Sequence, residues 1–119
     1  MKVRFVGADG LEQRIRQGSQ VLRVDRVYVV LETYCQSDGQ NYFRIEHRPD
    51  DLPPLFDSRL FEVVDTEISP EWRISSGWDG SLRMAPGEWH VEGFWDEFMN
   101  HEPRAVEKYE RCRDAMLQG

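Results

Sequence analysis

The run Val27-Tyr28-Val29-Val30-Leu31, followed closely by Ser37-Asp38-Gly39-Gln40, limits more than any other feature what this chain can fold into. Four of the five side chains in the run are β-branched or aromatic. Such side chains pack well on a pleated surface and lose rotamer freedom in a helix. The Asp-Gly pair tolerates the positive φ angles of a tight hairpin turn. Together they predict a central strand over Val27–Leu31 and a hairpin whose return strand runs from Tyr42 to Glu46. Ahead of them, Val3 and Phe5 alternate with Lys2 and Arg4, the period of a half-buried strand, and a polar segment around Gly18-Ser19-Gln20 intervenes.

Proline breaks the pattern next. Pro49, Pro53 and Pro54 lack the amide proton that a sheet ladder uses, so this stretch is expected to be a loop. Leu60-Phe61-Glu62-Val63-Val64 resumes β character, closed by Asp65-Thr66-Glu67 and Ser69-Pro70. A second hairpin is expected from Trp72 to Ile74, through Gly77-Trp78-Asp79-Gly80, and back along Leu82 to Met84. After Pro86-Gly87 the apolar period changes. Ala105, Tyr109, Cys112 and Met116 stand three or four residues apart, with Val106 and Leu117 beside them, which predicts an amphipathic C-terminal helix. Pro103 suits its first turn, with Asn100 or Glu102 as caps.

A chain of 119 residues with 39% hydrophobic side chains, including four Trp, is long enough to build one core without a disulfide or structural metal. The expected fold is α+β. It comprises a small bent antiparallel sheet or SH3-like barrel over residues 1–65, then a hairpin and the C-terminal helix over 66–119, all one domain. The expected core is Phe5, Val27, Val29, Leu31, Phe43, Ile45, Phe61, Val63, Trp72, Tyr109 and Met116. The start Met1-Lys2-Val3-Arg4-Phe5-Val6 lacks the apolar stretch of a secretory signal, and no run approaches the roughly 18 apolar residues of a membrane span. A cytoplasmic location with Cys35 and Cys112 as reduced thiols is therefore expected.

Charge is unevenly placed. Residues 1–60 hold nine Lys/Arg and nine Asp/Glu, whereas residues 61–119 hold six against thirteen, so the whole net charge of −7 lies in the second half. Between Arg83 and Arg104 there is no Lys or Arg, yet Glu88, Glu92, Asp96, Glu97 and Glu102 all fall there. Such a stretch repels phosphate backbones and argues against direct nucleic-acid binding.

No motif for catalysis or a cofactor is present. There is no Gly-x-Ser-x-Gly elbow, no phosphate-cradling glycine loop before a helix, and no Cys-x-x-Cys pair. His47, His90 and His101 form no His-x-x-x-His pattern, although Glu97 and His101 would share a face if residues 94–101 were helical. No enzyme activity, metal or cofactor is expected. The segment from Trp89 to Met99 interleaves large aromatics with acids. Either its aromatics pack in the core behind a solvated acidic rim, or one of them, Trp95 or Trp78, stays partly exposed as an anchor inside a negative field. The second reading makes Trp78, Glu88, Glu92, Trp95, Asp96 and Glu97 a surface for a basic protein.

The Lys-Val-Arg-Phe-Val start, the strand Val27–Leu31, the Asp-Gly hairpin and the run Leu55–Val64 resemble the small SH3-like β-barrels of many short bacterial and phage proteins, over roughly residues 1–65. The second half, with Ser69-Pro70-Glu71-Trp72, Pro86-Gly87-Glu88-Trp89, Gly93-Phe94-Trp95-Asp96-Glu97-Phe98 and a terminal helix, is similar to small immunity-type proteins of bacterial toxin systems. That resemblance implies binding to one toxin and blocking it, and agrees with the acidic half. Two rivals stay open. An adaptor of a phage or secretion assembly would use an exposed sheet edge. A small-ligand protein or enzyme would show a concave pocket near His90, Glu92 or His101.

Overall fold

The computed structural model describes residues 1–48 and 51–118; the expected loop residue Pro49 lies outside them. The fold is α+β. Among the described residues, eight antiparallel strands form two sheets, and three α-helices accompany them. The strands are β1 (Lys2–Phe5), β2 (Val27–Val29), β3 (Glu32–Cys35), β4 (Asn41–Arg44), β5 (Leu55–Asp57), β6 (Phe61–Asp65), β7 (Trp72–Ser76) and β8 (Leu82–Pro86). The helices are α1 (Gln13–Gly18), α2 (Phe94–Met99) and α3 (Pro103–Gln118). One sheet has the order β2-β1-β6 and the other β5-β4-β3-β8-β7. Among the described residues, no helix is long and apolar enough to cross a membrane.

The expected strand Val27–Leu31 is in fact two. Val30 donates its N–H to the carbonyl of Met1, continuing the three-stranded sheet, while Leu31 donates to the carbonyl of Arg44 and begins the five-stranded one. The run thus passes from one sheet to the other in a single step. Because side chains alternate, Tyr28 and Val30 are buried, whereas Val27 is 48% exposed and Val29 half-buried. An apolar run says that a strand is present but not which phase faces inward. Val63 is likewise exposed and Phe61 half-buried, since β6 is an edge strand whose pairing with β1 shifts register between Lys2 and Val3.

A second crossing follows β5, a strand the sequence reading does not resolve. Here Asp57 caps the 3-10 turn Ser58–Leu60, accepting from the Arg59 N–H at 2.9 Å, and the chain enters the other sheet at Phe61. Phe61 joins the sheets, its ring 6.1 Å from Phe5, 5.9 Å from Phe43 and 6.3 Å from Phe56. The Asp-Gly hairpin forms as expected. Gly39 has φ +94° and Asp38 accepts from the Gln40 N–H. The β7–β8 hairpin also forms, but β8 pairs with β3, so the second half completes the sheet of the first rather than following it.

Helix α3 begins at Pro103 and buries Ala105, Tyr109, Cys112 and Met116, the stripe read from the sequence. Helix α1 buries no residue, so it carries no apolar stripe by which to be found.

Two outcomes follow. Val30→Asp should prevent or strongly weaken folding through a buried unpaired charge, whereas Val27→Asp should shift stability by no more than about 0.5 kcal/mol, both read by urea denaturation. The Arg59 guanidinium bonded to Asp57 holds that carboxyl below the usual carboxylate range, against the opposing effect of burial. Its stabilisation is in force above the unfolded value of about 3.9 and is lost as pH falls through the lower folded value. Asp57→Asn should therefore flatten the decline of stability below about pH 4 in acid titrations followed by circular dichroism.

Candidate functional site

Beyond β8 the chain turns through a 3-10 segment, Gly87–His90, and enters α2 at Gly93, whose φ of +84° lets the backbone reverse without a Cβ clash. This geometry drives the aromatics inward. The Trp89 ring stacks on Tyr109 of α3 at 5.2 Å and on Phe94 at 6.2 Å, and Trp95 meets Trp89 edge-on at 5.4 Å. Phe98 packs on Tyr109 at 4.7 Å. Trp95 is thus half-buried, one part packed in the cluster and the rest open to solvent. Beneath it, the Arg44 guanidinium sits 4.3 Å from the ring centre.

Arg44 belongs to a buried ionic group. The Glu32 side chain, 1% exposed, accepts from the Arg83 Nε at 3.3 Å and Nη2 at 3.2 Å, and its Oε1 lies 3.6 Å from the Arg44 Nε. Arg44 also donates to the carbonyl of Pro53 at 2.6 Å. Burial pulls the Arg44 guanidinium below its usual value, and the charge of Glu32 pulls it back. Nearby, the Tyr109 hydroxyl donates to Glu46 at 2.6 Å, and Arg113 bonds the same carboxylate at 3.2 Å. Burial, and then the Glu46 hydrogen bond, push the phenol far above its usual range. Burial and then the charge of Glu88 push the Cys112 thiol up from its usual value.

The acids lie outside this base. Glu92, Asp96, Glu97 and Glu102 are exposed, and none takes part in an ion pair among the described residues. Val91 and Met99 are exposed among them. Glu88 differs, being half-buried and paired with Arg111. His90 is a tether. Its Nε2 lies 2.9 Å from the carbonyl of Arg73 and 3.1 Å from that of Ala85, which places the proton there and leaves Nδ1 to accept from the Ser75 hydroxyl at 2.9 Å. Glu97 and His101 do not share a helical face, because α2 ends at Met99 and His101 adopts a left-handed φ of +57°.

Trp78 is fully exposed at the tip of the β7–β8 hairpin. The five residues of β8 separate that tip from Glu88, about 17 Å at the usual rise per residue. Glu92, Asp96 and Glu97 are thus exposed on α2 and the turn before it, Glu88 is engaged with Arg111, Trp95 is half-buried on the aromatic cluster, and Trp78 stands at the far end of β8. The sequence reading missed Glu32, Arg44 and Arg83. A glutamate closing an apolar run looks the same whether it ends a strand in solvent or is buried with two arginines.

A concavity where α2 meets α3 is lined by Phe98, His101, Val106, Tyr109, Glu110 and Arg113. Among the described residues, no three His, Cys, Asp or Glu side chains come together to hold a metal. No protein-family model, curated protein or solved structure matches the chain.

Glu32→Ala should cost about 3–5 kcal/mol, because it leaves two guanidinium groups without their shared counter-charge. Glu92→Ala should stay within about 0.5 kcal/mol. Chemical denaturation of the two variants checks the contrast.

Proposed function

We propose that this chain is a non-catalytic protein-binding module that docks a basic partner protein on the acidic rim around α2. On this reading it acts in the cytoplasm as an immunity-type inhibitor, sequestering a toxin by covering its active surface. The observation that carries the reading is the rim itself. Four exposed carboxylates, Glu92, Asp96, Glu97 and Glu102, stand without ion-pair partners among the described residues, with Val91 and Met99 exposed between them. Beneath them lies a cluster of stacked aromatics.

Each part has a physical role. Unpaired carboxylates of one sign raise the local concentration of a basic partner and speed its association. Val91 and Met99 supply apolar area that gains free energy when covered. The Trp89–Tyr109 base holds the backbone of the rim in place, so little conformational entropy is lost on docking. Exposed charges of this kind are screened within about 10 Å at moderate ionic strength, so binding weakens as salt rises.

The test is capture of partners from the native cell lysate on the wild-type protein and on the triple variant Glu92→Lys, Asp96→Lys, Glu97→Lys. A single basic protein held by the wild type, released by high salt and lost from the variant is the expected result. The variant should stay folded with a modestly lower melting temperature, because none of the three side chains is buried or paired but two stand in the first turn of α2, where acids are favoured. Retention of the same partner by the variant would remove the acidic rim from the interface.

A further inference from the structure

The β7 edge carries an unfilled set of backbone hydrogen bonds beside a surface with no charge. In the β7–β8 hairpin the Gly77 N–H donates to the carbonyl of Ser81 at 2.9 Å. Alternation along an antiparallel pair then turns the N–H and C=O of Trp72, Ile74 and Ser76 away from β8, toward the open edge. Those of Trp72 are taken. Its N–H bonds the carbonyl of Ser69, and the Arg73 guanidinium caps its C=O at 2.9 Å. Ile74 and Ser76 remain, with two donors and two acceptors facing outward.

The side chains add to this. The registers of β7, β8, β3 and β4 put Ile74, Ser76, Met84, Leu82, Cys35 and Asn41 on one face, and none carries a charge. Toward Thr33, Phe43 and Phe56 that face is buried, but at the β7 end Ile74 is 70% and Leu82 46% exposed. Trp78 stands fully exposed at the tip.

We infer that β7 is the contact strand of a two-fold dimer, in which a second copy of this chain pairs its own β7 antiparallel with Ile74 opposite Ser76. A two-fold axis at Ser75 makes the four outward groups of one copy the complement of the four on the other, so all are satisfied in one register. The capped Trp72 carbonyl keeps the strands from sliding past it. Two chains of net charge −7 repel, and the uncharged strip is where they can approach closely. The antiparallel arrangement also puts the acidic rims at opposite ends, because the rim follows the Pro86 end of the hairpin and not its tip. The contact is isologous and closes at two copies. It is independent of the proposed partner on the acidic rim.

Sedimentation velocity over a range of protein concentrations tests the inference. The wild type should shift from monomer to twice that mass as concentration rises, and high salt should favour the dimer, opposite to its effect on rim binding. Ser76→Pro removes an edge-facing N–H without touching a β8 bond, and Ile74→Lys sets a charge on the strip; both should be monomeric, with Ile74→Lys serving if the proline variant fails to fold. The triple lysine variant of the rim should still dimerise. A wild type monomeric at every concentration and salt, a dimer surviving in Ile74→Lys, or growth beyond two copies would each overturn the two-fold β7 contact, whatever becomes of the rim.

Discussion

The shared carboxylate of Glu32 is the constraint on which much of this structure depends. A buried carboxylate is costly alone, and so is each guanidinium it meets, so all three must be placed together. Arg44 comes from β4 and Arg83 from β8, the two strands that flank β3. One ion group therefore ties the first hairpin to the second. Arg44 then offers its other face to Trp95, and Trp95 belongs to the cluster that seats α2 and α3. The acidic rim keeps its place on the surface because its aromatics are held from below by a cation.

Local chemistry was legible in the sequence wherever one element decides its own geometry. The Asp38-Gly39 turn, the Gly77–Gly80 turn and the stripe Ala105, Tyr109, Cys112, Met116 all formed as their residue types require. What escaped depends on neighbours that are remote in sequence. Nothing between Val27 and Leu31 marks the step between sheets, since Val30 and Leu31 differ in the strands they bond to and not in apolar character. The buried phase of the run was misread for the same reason.

The site divides along that line too. Glu92, Asp96 and Glu97 were legible as exposed acids because Asp96 and Glu97 share a short helix whose buried face is taken by Phe94 and Phe98, and Glu92 lies in the turn before it. The contact beneath Trp95 was not legible, because it is made by Arg44, fifty-one residues earlier. Trp78 was picked out from its glycine-framed turn, yet strand length alone sets it far from the acids.

The pairing of Thr33 with Met84 has a consequence for synthesis of the chain. As the polypeptide leaves the ribosome, β3 and β4 can close their hairpin early, but the outer side of β3 waits for β8. A chain that ends before Arg83 would leave Glu32 with Arg44 as its one arginine partner of the two, and with one side open to water. The half-made sheet thus shows a solvated carboxylate at the edge that would otherwise recruit a neighbouring chain.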